Sequence, residues 1–309
     1  MEQKTVFIGA TGYDHYCTEG RKKLLDAGCC LIENQLGRPY TAEELKAIGG
    51  EINAVICGCE VWNEETIAAA PNLKVIVKFG VGVDNIDVKY AEANGITVKN
   101  TPKASSQSVA ELAMGHMFSC ARYLSIAGHT MREDKWEKKA YGKGIELQGK
   151  TLGIVGFGRI GQHLGVMAKA IGMNVVAFAR HPNAAVSEKL GIPYVSMDEL
   201  LATSDFISLH APAVDGGALV NEASIAKMKD GVVIINTSRG ANVDEAALLA
   251  ALESGKVRAA GLDVYADEPT SNKALYSHPM VSCTPHIGAA TVEAQKRIGA
   301  EIVEIIKAM

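Results

Sequence analysis

At 309 residues the chain has room for two compact domains, and 48% hydrophobic with 21% charged residues is ordinary for a folded protein. A net charge of −4 gives no electrostatic basis for a nucleic-acid partner or an anionic membrane, although one or two placed cations could still hold a small anionic substrate. No apolar run approaches the ~20 residues of a membrane helix, and Met1-Glu2-Gln3-Lys4 leads into strand-like Thr5-Val6-Phe7-Ile8-Gly9 without the pattern of a secretory signal.

In chain order, strands are predicted at 5–10, 29–33, 54–57, 73–78 and 96–99, with helices over 18–27, 41–48 and 63–70. Strands separated by helices pair in parallel, with crossovers covering both faces of the sheet. The cysteines in this part, Cys29-Cys30 and Cys57-Gly58-Cys59, lack the paired two-residue spacing of a zinc site and read as small apolar residues, so no metal is expected. Seven scattered cysteines, an odd number, fit reduced thiols and a cytoplasmic location. A helix-friendly apolar segment follows over 105–123, after Pro102, as a bridge to a second alternating series.

That second series has strands predicted at 151–155, 174–179, 206–209, 231–236, 259–263 and 280–282, and a helical tail at 291–308. Continuous apolar runs such as Val232-Val233-Ile234-Ile235 suit central parallel strands. The reading is an α/β fold of two Rossmann-like or flavodoxin-like parallel-sheet domains with the active-site cleft between them. Residues 1–101 plus 287–309 are expected to form the substrate-binding domain, and 102–286 the dinucleotide-binding domain.

Gly156-Phe157-Gly158-Arg159-Ile160-Gly161 follows the strand at 151–155 and precedes a helix predicted over 162–170, the context in which G-x-G-x-x-G binds a dinucleotide. Gly156 permits the tight turn, Gly158 lets the backbone approach a pyrophosphate, and Gly161 allows close helix–strand packing. The free N–H groups and partial positive charge of the helix N-terminus then face the phosphates. An NAD-binding fold usually places Asp or Glu at the end of the next strand to bond the ribose 2′-hydroxyl. Here Ala179 stands there, and Arg180 follows with a guanidinium that can pair with a 2′-phosphate. NADP(H) is therefore favoured over NAD(H).

Polar residues also gather where strand C-terminal ends should open a cleft: Thr237-Ser238-Arg239-Gly240, Asp263 to Pro269, and Thr284-Pro285-His286. Reduction of a 2-keto acid needs a permanent cation for the carboxylate and an acid for the oxygen. Arg239 suits the first task and His286 the second, with Glu268 as a partner that favours the protonated imidazole.

With Gly80-Val81-Gly82-Val83-Asp84-Asn85-Ile86-Asp87, Asn100-Thr101-Pro102, Val109-Ala110-Glu111, the glycine loop, Arg239-Gly240, Leu262-Asp263-Val264, Glu268-Pro269 and Pro285-His286-Ile287-Gly288 in order, nearly the whole chain resembles the D-isomer-specific 2-hydroxyacid dehydrogenases. The resemblance implies Arg239 as substrate anchor, His286 as acid–base group and Glu268 as its partner. It implies that backbone N–H groups near Val81 and Gly82 receive the substrate carboxylate, with Lys78 nearby. Asp263 and the carbonyl of Thr237 would hold the nicotinamide amide, and His210-Ala211-Pro212 would line the adenine side. It also implies a homodimer through the cofactor domain, with 105–123 and 136–147 as interface segments.

Phosphoglycerate dehydrogenases commonly carry a basic residue in the loop after the third strand, where this chain reads Cys57-Gly58-Cys59-Glu60. Glu60 would repel a second anionic group unless it turned away, and Arg132 or Lys135 could compensate. No C-terminal regulatory domain is expected. The substrate is thus a small 2-keto or D-2-hydroxy acid, of glyoxylate or hydroxypyruvate type, with 3-phosphoglycerate as the alternative. Dinucleotide-sensing corepressors share such a fold and are the reading from a different class.

Overall fold

The computed structural model describes residues 4–213 and 216–308, which fall into two compact units, one of Met1–Ser105 with Ala289–Met309 and one of Ser106–Gly288. The divisions lie a few residues beyond the expected 101/102 and 286/287. Among the described residues no helix is long and apolar enough to cross a membrane.

In the first unit, β1 (Thr5–Ile8), β2 (Cys30–Glu33), β3 (Ala54–Cys57), β4 (Val75–Lys78) and β5 (Thr97–Lys99) form one parallel sheet in the order β2-β1-β3-β4-β5. Burial follows position. All four residues of β3, in the middle, are buried, whereas the edge strands β2 and β5 hold no buried residue. Helix Ala42–Gly49 opens on a capping box: Thr41 Oγ1 accepts from the Glu44 N–H at 3.3 Å, and Glu44 Oε2 accepts from the Thr41 N–H at 2.8 Å.

The C-terminal helix Val292–Lys307 returns to this unit and buries Ala294, Ile298, Ile302 and Ile306, an i, i+4 stripe, while Thr291 caps its start. It packs on helix Thr18–Asp26, and small residues set the approach. A Cβ on Gly299 would stand 2.9 Å from Cys17 Sγ, and one on Gly20 would stand 3.2 Å from the Gly299 carbonyl oxygen.

In the second unit, β6 (Thr151–Val155), β7 (Asn174–Phe178), β8 (Phe206–Leu209), β9 (Val232–Asn236), β10 (Val257–Leu262) and β11 (Val281–Cys283) form a parallel sheet in the order β11-β10-β9-β8-β6-β7. The chain starts in the interior at β6, steps out to β7, then crosses to β8. The β6/β8 junction is therefore the topological switch point, where a doubly wound sheet opens a crevice at its carboxyl ends. Helix Ser106–Arg122 packs on β10, and it ends where Tyr123 turns left-handed (φ 59°) before helix Leu124–Arg132. The single bridge expected over 105–123 is thus followed at once by a second helix.

Overpacking one methyl-sized gap in a filled core costs about 1–3 kcal/mol. Gly299→Leu should accordingly lower the midpoint of thermal unfolding, while Lys46→Ala, which removes an exposed ion pair to Glu65, should leave it nearly unchanged. Equal midpoints for the two variants in a thermal melt would contradict the tight crossing at Gly299.

Candidate active site

The glycine loop sits at the switch point of the second unit. Gly156 (φ 95°) leaves β6 in a conformation that L side chains avoid, and a Cβ there would lie 2.6 Å from Ala211 N, in the backbone that follows β8. A Cβ on Gly161 would stand 2.6 Å from the Gly156 carbonyl oxygen, so both glycines are required by close approach. A Cβ on Gly158 would meet nothing within 4 Å, which leaves open space beside the backbone there. Helix Arg159–Ala170 begins inside the motif rather than after it, because extended Gly158 is its N-cap; no side chain caps it. Its first-turn N–H groups, at Arg159, Ile160 and Gly161, are thus free for an anion. These features fit a dinucleotide pyrophosphate.

At the end of β7, Arg180 is exposed and bonds to no other described residue. His210, expected on the adenine side, turns its ring inward: Nε2 meets Ser208 Oγ at 2.8 Å, and burial pushes its pKa down to about 3. Its buried Nδ1 has no partner among the described residues, whereas Pro212 is exposed.

At the end of β9 the Asn236 side chain builds the turn that presents Arg239. Its Oδ1 accepts from the Ser238 N–H (3.0 Å) and hydroxyl (2.7 Å), and its Nδ2 donates to the Arg239 carbonyl at 2.8 Å. Arg239 Nη1 donates to the Ser238 carbonyl at 2.7 Å, which holds the half-buried guanidinium against its own turn. Thr237 is 7% exposed and its Oγ1 has no partner among the described residues, a buried polar atom awaiting one. Gly240 is dictated by packing, since a Cβ would stand 1.8 Å from the Tyr265 carbonyl oxygen.

Tyr265 begins the loop that carries Glu268. Its N–H donates to Glu268 Oε1 at 3.1 Å, and Glu268 Oε2 accepts from His286 Nδ1 at 2.6 Å. That bond raises the His286 pKa above its ordinary 6.5, against burial, which lowers it; the Glu268 charge adds to the rise and the Arg239 charge opposes it. Burial pushes the Glu268 carboxyl up, but the hydrogen bond and charge of His286 outweigh it, so its pKa falls below 4.5. His286 itself has φ 54°, a left-handed conformation that costs a non-glycine residue about 1–2 kcal/mol.

Asp263 sustains that turn. Its side chain is 1% exposed, with Oδ1 accepting from the Thr284 hydroxyl (2.6 Å) and the Ile287 N–H (2.8 Å), and Oδ2 from the Gly288 N–H (2.8 Å). Both oxygens are therefore engaged by the loop that presents His286, a task beyond the one expected of Asp263 on the nicotinamide side. Sequence reading missed this role, as it missed Asn236. Their one signal was a polar residue at or just after the end of a buried strand.

In the first unit, Glu60 turns away and is 1% exposed: the Gly58 N–H donates to both its oxygens (3.0 and 3.1 Å) and Trp62 Nε1 to Oε1 (3.4 Å). Lys78 Nζ donates to Asn85 Oδ1 at 2.8 Å and to the Gly58 carbonyl. The N–H groups of Val81 and Gly82 donate to no described residue, and Asn100 Nδ2 holds the Val81 carbonyl at 2.6 Å. Arg132 donates to the Gly128 carbonyl and Lys135 pairs with Glu133. Among the described residues no His, Cys, Asp and Glu side chains cluster as a metal site; Cys30 and Cys59 are exposed, whereas Cys29 and Cys57 are buried.

The family described as D-isomer specific 2-hydroxyacid dehydrogenase, NAD binding domain, matches residues 114–288. The chain is 49% identical over 269 residues to a hydroxypyruvate reductase of Thermotoga maritima, covering 85% of this chain and 87% of that protein. It is 43% identical over 279 residues to a D-3-phosphoglycerate dehydrogenase of Methanocaldococcus jannaschii, covering 89% of this chain but 53% of that relative, so it spans about half that protein's length. The solved structure of a D-lactate dehydrogenase from Aquifex aeolicus, complexed with NAD and lactic acid, aligns with a TM-score of 0.85 at 29% identity, covering 99% of this chain and 95% of that one. The glycine loop at the switch point and the Glu268–His286 pair thus lie within a matched sequence, and the chain belongs to the D-isomer-specific 2-hydroxyacid dehydrogenases, enzymes that act on a CH–OH group with a nicotinamide cofactor.

Proposed function

We propose that the chain is a reductase of a small unphosphorylated 2-keto acid, of hydroxypyruvate or glyoxylate type, using NADP(H) in preference to NAD(H). The observation that carries the chemistry is the 2.6 Å bond between His286 Nδ1 and Glu268, which raises the pKa of a half-exposed imidazole and leaves its other nitrogen, Nε2, free of that bond. In this reading Arg239 holds the substrate carboxylate and polarises the keto group, and His286 Nε2 gives its proton to the oxygen. A bound nicotinamide supplies the hydride, or accepts it in the reverse direction. Gly156, Gly158, Arg159, Ile160 and Gly161 hold its pyrophosphate, with Thr237, and Asp263 through the turn it anchors, on the nicotinamide side. The second unit then serves the dinucleotide, while Lys78 and the free N–H groups of Val81 and Gly82 are the first unit's candidates for an anionic substrate.

The substrate preference is supported by the hydroxypyruvate reductase relative and by Glu60, whose loop offers a buried carboxylate instead of a cation to a phosphate group. The 43% identity to a phosphoglycerate dehydrogenase favours the second reading, 3-phosphoglycerate. A homodimer is supported by exposed apolar side chains on and beside the 106–122 helix and the 136–147 arm, among them Phe118, Leu124 and Trp136, the last 79% exposed. Seven unpaired cysteines are compatible with a reducing, cytoplasmic setting.

The test is cofactor oxidation with NADPH or NADH crossed with glyoxylate, hydroxypyruvate, pyruvate and phosphohydroxypyruvate. Turnover of the unphosphorylated acids is expected. Preference for phosphohydroxypyruvate would establish the second reading, and cofactor binding without turnover of any acid would favour a dinucleotide-sensing module.

His286→Ala should cut turnover by on the order of 10²–10⁴, the usual contribution of a general acid. Because folding raises the His286 pKa above 6.5, the stability from its protonated form is complete below about that pH and fades as pH rises through the folded value. Keto-acid reduction should fall over the same rise, and Glu268→Gln should move the midpoint of that fall to lower pH. An unmoved midpoint would remove Glu268 from its assigned role.

Arg180→Ala should weaken NADPH binding by on the order of tenfold or more, the scale of one lost charge-assisted hydrogen bond, and leave NADH binding nearly unchanged. Equal losses for both cofactors in a binding titration would rule out 2′-phosphate recognition by Arg180.

A further inference from the structure

His116 is a buried titratable group that the proposed chemistry does not use. It lies in helix Ser106–Arg122 at 3% exposure, with Nδ1 3.0 Å from Ser282 Oγ and Nε2 3.0 Å from Thr284 Oγ1. Room is made for it on the neighbouring strand: a Cβ on Gly261 in β10 would stand 2.6 Å from His116 Cβ and 3.0 Å from its Cγ. The direction of each bond follows from the donor inventory. A carboxylate only accepts, so the single hydroxyl proton of Thr284 goes to Asp263 Oδ1 at 2.6 Å. Thr284 Oγ1 is then an acceptor toward His116, and Nε2 must carry the hydrogen. Burial lowers the His116 pKa, against the Asp263 charge, which raises it, so the ring is neutral and Nδ1 accepts the Ser282 hydroxyl proton.

A directional chain of donors results, from Ser282 through His116 and Thr284 to Asp263, whose carboxylate also accepts from the Ile287 and Gly288 N–H groups that follow His286. Every buried member is satisfied, which is the condition under which a buried polar network rigidifies rather than weakens a structure. We propose that His116 is a positioning residue for the reaction: its Nε2–H, acting through Thr284 and Asp263, fixes the left-handed turn that aims His286. The inference rests on the reading of His286 as the acid–base group. It touches neither substrate nor cofactor, and acts by geometry alone.

His116→Leu keeps the ring's bulk but removes the donor, so Thr284 can turn its proton away from Asp263. Misplacing a catalytic group by about an ångström costs roughly 10²-fold. The expected result is a fall of that order in kcat with an unchanged KM for the nicotinamide cofactor, recovered in large part by His116→Gln, whose amide N–H can reach the Nε2 position. Thr284→Val should cause a similar loss, and the double variant His116→Leu with Thr284→Val should be no worse than either single one, because the two residues act in series.

Multiplied losses in the double variant, an equal loss in His116→Gln and His116→Leu, or a His116→Leu enzyme that melts earlier yet turns over at the wild-type rate would each overturn the proposal. A readout free of activity comes from ¹⁵N-histidine spectra of the wild-type chain at neutral pH. His116 is expected as the neutral Nε2–H tautomer, and a charged ring or an Nδ1–H tautomer would refute the chain of donors even if no substrate were ever turned over.

Discussion

Taking the Asp263 carboxylate out of water costs several kcal/mol unless donors replace the lost hydration, and here three do. Two of the three are backbone N–H groups immediately beyond His286. The need to satisfy one buried carboxylate therefore dictates the path of the loop, and the loop's path dictates a left-handed residue at 286. The bond to Glu268 and the raised imidazole pKa exist only because that residue is held there. If the carboxylate were replaced by an apolar group, nothing in the loop itself would select this turn over an ordinary one.

The same economy recurs at the other strand ends of the second unit. Asn236 shapes the Arg239 turn with its side chain alone, and Gly240 allows that turn to lie against the Tyr265 carbonyl, next to the N–H that holds Glu268. Arg239, Glu268 and His286 are each positioned by a neighbour that is buried and hydrogen-bonded, on loops that leave a rigid parallel sheet. Their charges oppose usefully. The Arg239 cation works against protonation of His286, and the Glu268 hydrogen bond more than offsets it.

The sheet was legible in the sequence because central parallel strands leave an uninterrupted apolar record. Val232–Asn236 and Ala54–Cys57 are buried at every residue, and both were placed within one residue. The glycine loop was legible because its spacing, between a strand and a helix, is a local pattern, even though the contact that requires Gly156 is with the distant backbone at Ala211. What the sequence hid were directions. That Glu60 folds under its own loop against Gly9 depends on a neighbour brought alongside by the sheet, and that the His210 ring turns toward Ser208, two residues upstream, depends on burial at the end of β8. Asp263 was recognisable as important, but its three donors lie more than twenty residues away, and no local pattern names them.

The burial of Glu60 bears on how the chain's substrate range could be altered. The carboxylate fills space that a side chain on Gly9 would need, with Oε1 only 2.0 Å from where a Cβ would stand, and it consumes the Gly58 and Trp62 donors. An arginine exchanged into position 60 would inherit two donors facing a cation and a cavity shaped for a shorter group. It would have to leave that cavity, and the loop would have to close over the gap. Retargeting this loop toward a doubly charged acid is therefore a task for grafting residues 58–62 together with the Gly9 turn, and a single-codon exchange would be expected to lose loop order before it gained a new specificity.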